Sequence, residues 1–173
     1  MPITPDTKDW TWVLERPCGE CGFDSGDYAR EELATVILAN ATEWQSLLTR
    51  GDVKDRPSAD RWSVLEYACH VRDVYRIFRE RLALMQSQDN PVFANWDQDE
   101  TAKAEKYELQ DPFQVSAELL VAGEQMAAQL NSVTDDQWAR PGTRSNGSQF
   151  SIETLGLYEL HDSIHHLWDV TDV

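Results

Sequence analysis

Positive charge is scarce in this sequence. Fifteen lysines and arginines stand against 31 aspartates and glutamates in 173 residues, a formal net charge of −16. A surface so negative repels phosphate backbones and anionic lipid headgroups, which argues against nucleic acid and membranes as partners. Long hydrophobic runs are missing as well: no stretch approaches the roughly 18 apolar residues of a membrane span. The opening Met1-Pro2-Ile3-Thr4-Pro5 has no charged segment leading into an apolar run, so no secretory signal is readable. Cysteine stops at three, an odd number that implies no complete disulfide framework, and a reducing cytoplasm is the expected location. Glycine is rare inside the helical stretches. No G-x-S-x-G, P-loop or dinucleotide-binding glycine pattern occurs, so nucleotide binding finds no support.

What remains is the composition of a folded domain. A hydrophobic fraction of 41% with 10% aromatics is ordinary for a globular protein and excludes general disorder, and the length suits one domain. Residues 1–26 read as an irregular arm, with Pro2, Pro5 and Pro17, Gly19, Gly22 and Gly26, and a Cys-x-x-Cys pair at Cys18 and Cys21. Residues 27–173 read as the bundle domain.

From Asp27 the hydrophobic spacing turns helical. Leu33, Val36, Ile37, Asn40, Ala41, Trp44, Leu47 and Leu48 recur at three- and four-residue intervals, and Gly51 follows as a stop. A second helix starts at Ser63, whose pairing with Glu66 three residues on is a capping box. Its inward stripe is Tyr67, His70, Val71, Val74, Ile77 and Phe78. A third opens with Asp111 as N-cap and Pro112 at the first helical position. After a turn around Pro141, Gly142 and Gly147, a fourth runs from Ser151 almost to the end, with Leu157, Leu160, Ile164 and Leu167 as its seam. No strand-like alternation appears. The expected fold is all-α, a four-helix bundle. Residues 87–110, between the second and third helices, show no sustained period, and such a link is either a functional lid or a plain crossover.

The chemistry is concentrated in four histidines, three of them in the last helix: His161, His165 and His166. His161 and His165 are four apart, so their Cβ atoms stack on one helical face about 5–6 Å apart, a spacing at which two imidazoles converge on one ion. His166 is turned about 100° from His165 and is expected to stay apart, as a surface or interface residue. His70 lies on the inward stripe of the second helix, where a bundle can bring it to the fourth. Three imidazoles suit Zn²⁺, Ni²⁺ or Fe²⁺ and leave positions open for water or substrate. Asp73 and Glu66, one turn either side of His70, are candidates to accept a hydrogen bond from a ligand ring. Core histidines with ordinary hydrogen bonds are the competing explanation.

Cys18-Gly19-Glu20-Cys21-Gly22 has the form of half a zinc ribbon. It is compatible with a plain turn carrying two thiols, a redox-active disulfide, or a metal half-site completed by another group. Cys69, beside His70 but rotated from it, is expected to be a packed core thiol.

The segments RWSVLEYACHVRDV around His70 and ELHDSIHHLWDV around His161 and His165 resemble the DinB-like superfamily, which includes bacillithiol transferases and the metal domain of mycothiol-dependent maleylpyruvate isomerase. The resemblance covers nearly the whole chain. It implies an up-up-down-down bundle whose long crossover is residues 87–110, and one divalent metal ion held by His70, His161 and His165. It further implies a thiol-transferase type of chemistry, in which the metal deprotonates a low-molecular-weight thiol such as mycothiol for attack on an electrophile. The isomerase places a glutamate where His161 stands and carries a further domain, which sets that particular reaction aside. Trp96 and Tyr158 are candidates for lining the pocket. The alternatives are a metal-dependent hydrolase and a non-catalytic, metal-binding, stress-related bundle; a homodimer is compatible with either.

Overall fold

The computed structural model describes Ile3, Pro5 and residues 9–171. Parts of the expected arm and of the N-terminal stretch read for a signal (Met1, Pro2, Thr4 and residues 6–8) lie outside the described residues, as do Asp172 and Val173.

Four long helices form the bundle: α1 (Leu33–Leu47), α2 (Val64–Ser87), α4 (Pro112–Asn131) and α5 (Ile152–Thr171), with a short α3 (Gln98–Ala104) inside the crossover. Their starts follow the side chains that satisfy the first free amides. Ser63 Oγ accepts from the Glu66 N–H at 3.2 Å while Glu66 Oε2 accepts from the Ser63 N–H at 2.9 Å. Asp111 accepts from the Gln114 N–H at 2.9 Å, with Pro112 following it. The interior is filled by Trp44, Tyr75, Leu82, Met85, Leu119, Met126 and Leu160, each large apolar side chain contributing about 1.5–3 kcal/mol by leaving water. Cys69 is buried among them, its Sγ 3.5 Å from Gln110 Oε1.

The helices α1 and α2 both pack on α4 and α5. Residue pairs give their directions. Asn40 Nδ2 donates to the Ser163 carbonyl and Leu33 lies against Gly156, so α1 and α5 run parallel. Arg72 reaches Glu118, Arg79 reaches Gln125 and Gln86 reaches Ser132, so α2 and α4 run parallel. Phe78 packs on Tyr158 and His70 on His166, which makes α2 antiparallel to α5. Gln45 bonds Ser116 and Ala41 meets Gly123, which makes α1 antiparallel to α4. The order along the chain is therefore up-down-down-up, where the family resemblance implied up-up-down-down. The crossover is the reason: it carries the chain back along the bundle, so that α4 restarts in the direction of α2.

A small sheet departs from the all-helical expectation. β1 (Val92–Phe93) pairs parallel with β2 (Pro141–Arg144), which pairs antiparallel with β3 (Gln149–Ser151). Strands of two to four residues are too short to show a two-residue period. The sheet ties the crossover to the α4–α5 connection. Among the described residues, no helix is long and apolar enough to cross a membrane.

The arm is less irregular than expected. Asp9 caps a 3-10 turn, Trp10–Leu14, which packs against α5, and Val13, Cys18 and Phe23 are buried.

Candidate functional site

Two clusters of ligand-type side chains meet where α2, α5 and the arm converge. In one, ligand atoms of His70, Asp162 and His166 lie within 4.8 Å of one another; in the other, those of Cys18, Cys21, His161 and His165 do. The three histidines expected to act together are thus divided. His161 and His165 face the arm, and His70 faces Asp162 and His166. Helical rotation is the cause: each step along α5 turns a side chain by about 100°, so the Asp162/His166 pair points to α2 when the His161/His165 pair points to the arm. His166 is accordingly half-buried and does not stay apart from the other ligand-type residues. Its ring stands 4.7 Å from that of His70, nearly perpendicular at 85°.

His70 is wholly buried, yet among the described residues neither of its nitrogens finds a well-aligned hydrogen-bond partner, and the same holds for Asp162 Oδ1. His70 Nε2 lies 3.3 Å from that oxygen, and His166 Nε2 lies 3.6 Å from it. Such buried polar atoms are rare unless something unites them. The expected supports of His70 are engaged elsewhere. Glu66 is paired with Arg56 and the Ser63 N–H, while Asp73 takes Arg72, Arg76 and the Tyr107 hydroxyl. His166 has the carboxylate partner instead: its Nδ1 donates to Asp169 Oδ2 at 3.0 Å, which leaves Nε2 facing Asp162 and, in the neutral ring, its lone pair available to a metal.

The electrostatics set the protonation states that a metal needs. Burial lowers the pKa of His70, and burial followed by the charge of His166 lowers that of His165. His161 is brought down to about 4 by burial and then by His165. Burial acts to raise Asp162, but His166, His70 and His161 together outweigh it and hold the carboxyl well below its usual range. His70, His161 and His165 are thereby held neutral, and the Asp162 carboxylate is ionised. On donor chemistry and on those unaligned buried atoms, His70, Asp162 and His166 fit a divalent ion with coordination positions left open.

The cluster opens on a cleft of about 640 Å³ whose walls include Trp10, Trp62, Tyr67, Trp96 and Tyr158. Trp96 stacks flat on His70, ring centroids 5.3 Å apart at 5°, and Trp62 covers it at 5.4 Å. Both Trp96 and Tyr158 line the cleft as expected. The link that supplies Trp96 also contributes Asn95, Asp97, Asp99 and Glu100 to the wall. The rim is acidic, with Asp9, Asp60, Asp97, Asp99, Glu100 and Asp169 against Lys103 and Arg144.

Sequence reasoning missed Asp162. The signal was present as Asp162-x-x-x-His166, with the same four-residue spacing as His161-x-x-x-His165, but one aspartate among 31 acidic residues does not stand out.

Comparison with known proteins agrees with the architecture. A protein of Halalkalibacterium halodurans named "Putative metal-dependent hydrolase" is 33% identical over 108 residues, and the match covers 61% of each chain, so this chain spans about three fifths of that relative's length. The solved structure of YfiT from Bacillus subtilis, described as "a probable metal-dependent hydrolase with an unusual four-helix bundle topology", superposes with a TM-score of 0.72 at 21% identity, over 83% of this chain and 84% of that one. The family profile of the DinB superfamily matches residues 28–170, and the chain belongs to that superfamily.

Proposed function

We propose that this protein is a divalent-metal-dependent enzyme whose open centre is His70, Asp162 and His166, and that it activates a small nucleophile against a neutral or cationic substrate. One observation carries the reading: a fully buried histidine and a buried aspartate oxygen face each other without hydrogen-bond alignment at the head of an aromatic cleft. An ion held there supplies Lewis-acid chemistry, lowering the pKa of a coordinated water or thiol. Asp169 fixes the His166 ring and its tautomer through Nδ1. Trp96 and Trp62 hold the plane of His70 and keep water from its faces. The acidic rim repels anions, so the substrate is neutral or positively charged, and the aromatic walls favour one with an apolar or ring-bearing body.

With water as nucleophile the enzyme is a hydrolase, which agrees with the names of the two relatives. With a mycothiol-like thiol it is a transferase, which rests on the family resemblance. One experiment separates them. Untagged holoprotein is assayed on a panel of neutral esters and amides, and then with low-molecular-weight thiols and monochlorobimane. Turnover in one panel is expected, abolished by chelation, restored by a divalent ion, and below about one hundredth of wild type in His70→Ala and His166→Ala. Turnover in neither panel at replete metal, with metal still bound, favours the non-catalytic binding protein. Turnover unchanged in both variants refutes the centre.

A further inference from the structure

The second cluster takes no part in the centre just proposed. Cys18 and Cys21 are free thiols, held in a tight knuckle. The Gly22 N–H donates to the Cys18 carbonyl at 3.0 Å and the Cys18 N–H to the Phe23 carbonyl at 2.8 Å. Gly22 turns the chain at φ +76°, a left-handed conformation that suits glycine. The knuckle lies against α5 where His161 and His165 share a face, and one ligand atom from each of the four residues lies within 4.8 Å of all the others. Cys18, His161 and His165 are buried, and Cys21 is half-buried.

One distance and one orphaned atom point to a ligand. Cys18 Sγ stands 3.6 Å from His165 Nδ1. Zinc bonds of about 2.3 Å to sulfur and about 2.0–2.1 Å to nitrogen, set at a tetrahedral angle, separate the two donors by about 3.6 Å. The other nitrogen of His165 faces away toward carboxylates, with Nε2 3.7 Å from Glu20 and 4.0 Å from Asp169, which leaves Nδ1 as the atom directed at Cys18. His161, only 3% exposed, leaves Nε2 without a hydrogen-bond partner among the described residues.

We infer that Cys18, Cys21, His161 and His165 bind a second metal ion, a structural zinc that fastens the N-terminal arm to α5. Two sulfurs and two imidazoles in tetrahedral reach select zinc, and four protein ligands leave no position for substrate. Binding releases one proton from each thiol to solvent, two per ion, while the imidazoles bind in their neutral form. The ion bridges residues 147 apart in sequence. It also fixes the seat of Trp10, whose ring lies 5.4 Å from His161 and 5.2 Å from His165 on the cleft wall.

The test uses untagged full-length protein from zinc-replete medium, with elemental analysis and cobalt substitution. One zinc per chain is expected to survive in His70→Ala and His166→Ala and to be lost in Cys18→Ser and Cys21→Ser. Cobalt-loaded wild type is expected to show thiolate-to-cobalt charge-transfer absorption and intense tetrahedral visible bands, retained in His166→Ala and absent in Cys21→Ser. Circular dichroism establishes that each variant is folded; should the cysteine variants fail to fold, the charge-transfer band of the wild type decides. Its absence overturns the inference, as does equal reactivity of Cys18 and Cys21 toward a disulfide reagent before and after chelation. The centre at His70 contains no sulfur, so its failure would leave these readouts unchanged.

Discussion

His165 and His166 are neighbours in the chain, but their rings stand at 88° with centroids 5.9 Å apart, and each serves a different cluster. Asp169 lies between them, 3.0 Å from His166 Nδ1 and 4.0 Å from His165 Nε2. The hydrogen bond orients the His166 ring and points its Nε2 toward Asp162, while His165 meets Asp169 only at ion-pair range and has its Nδ1 toward Cys18.

That position makes Asp169→Asn a sharp probe. Removal of an outer carboxylate partner usually lowers metal affinity about 10–100-fold. The loss is expected to fall mainly on the His70 centre, because Asp169 is hydrogen-bonded to His166 and stands 4.0 Å from His165. Competition with a chelator of known affinity measures it. Affinity equal to wild type would show that Asp169 does not set the ring of His166.

Trp96 is expected to matter through His70. A flat-stacked aromatic pair contributes about 0.5–1.5 kcal/mol beyond its buried area, so Trp96→Ala should weaken metal retention at that centre roughly 2–10-fold, with Trp96→Phe recovering much of it. A matching fall in both variants would assign the effect to the hydrogen bond from Trp96 Nε1 to Thr101, which is 2.7 Å long, and not to the stack.

The bundle was legible in the sequence because its signals are local. The Ser63–Glu66 box, Asp111-Pro112 and the three- and four-residue spacing of Leu33 to Leu48 each report on a single helix. Helix direction was not legible, since it depends on where the link after Ser87 delivers the chain. The sheet was hidden by its brevity. At the site, His70, His161 and His165 were each recognisable as ligand-type residues, but their grouping depends on the rotation of α5 about its axis. A rotation that points His161 to the arm and Asp162 to α2 is fixed by packing of Leu160 and Ser163, both wholly buried, and no motif encodes it. The Cys-x-x-Cys pair likewise could not reveal partners lying some 140 positions away.

Gly123 of α4 faces Ala41 of α1, and a Cβ there would collide with that of Ala41. Alanine would gain about 1 kcal/mol of helix propensity, but overpacking a tight core costs about 1–3 kcal/mol. The collision meets a short, rigid neighbour in a helix, so the cost is expected to prevail. Gly123→Ala should lower Tm by a few degrees, at about 2–4 °C per kcal/mol for a chain of this size. Ala41→Gly combined with Gly123→Ala should recover part of the loss. A Gly123→Ala protein as stable as wild type would mean that the helices separate without cost.

The pairing of Glu66 with Arg56 gives the fold a pH dependence of known sign. Burial acts to raise the Glu66 pKa, but Arg56 and the Ser63 N–H and hydroxyl outweigh it, so the folded value lies below the ordinary one. A carboxylate depressed in this way stabilises the fold above its unfolded pKa of about 4.3, and the contribution is lost as pH falls through the folded value. Glu66→Gln keeps a side chain able to close the capping box and removes only the charge. Breaking a buried pair costs about 3–5 kcal/mol; because the Arg56 side chain is 34% exposed, solvent screening reduces this to about 1–2 kcal/mol. Urea denaturation should therefore separate wild type from Glu66→Gln by that amount at pH 7 and by little at pH 3. An equal separation at both values would place the effect in the cap and not in the ion pair.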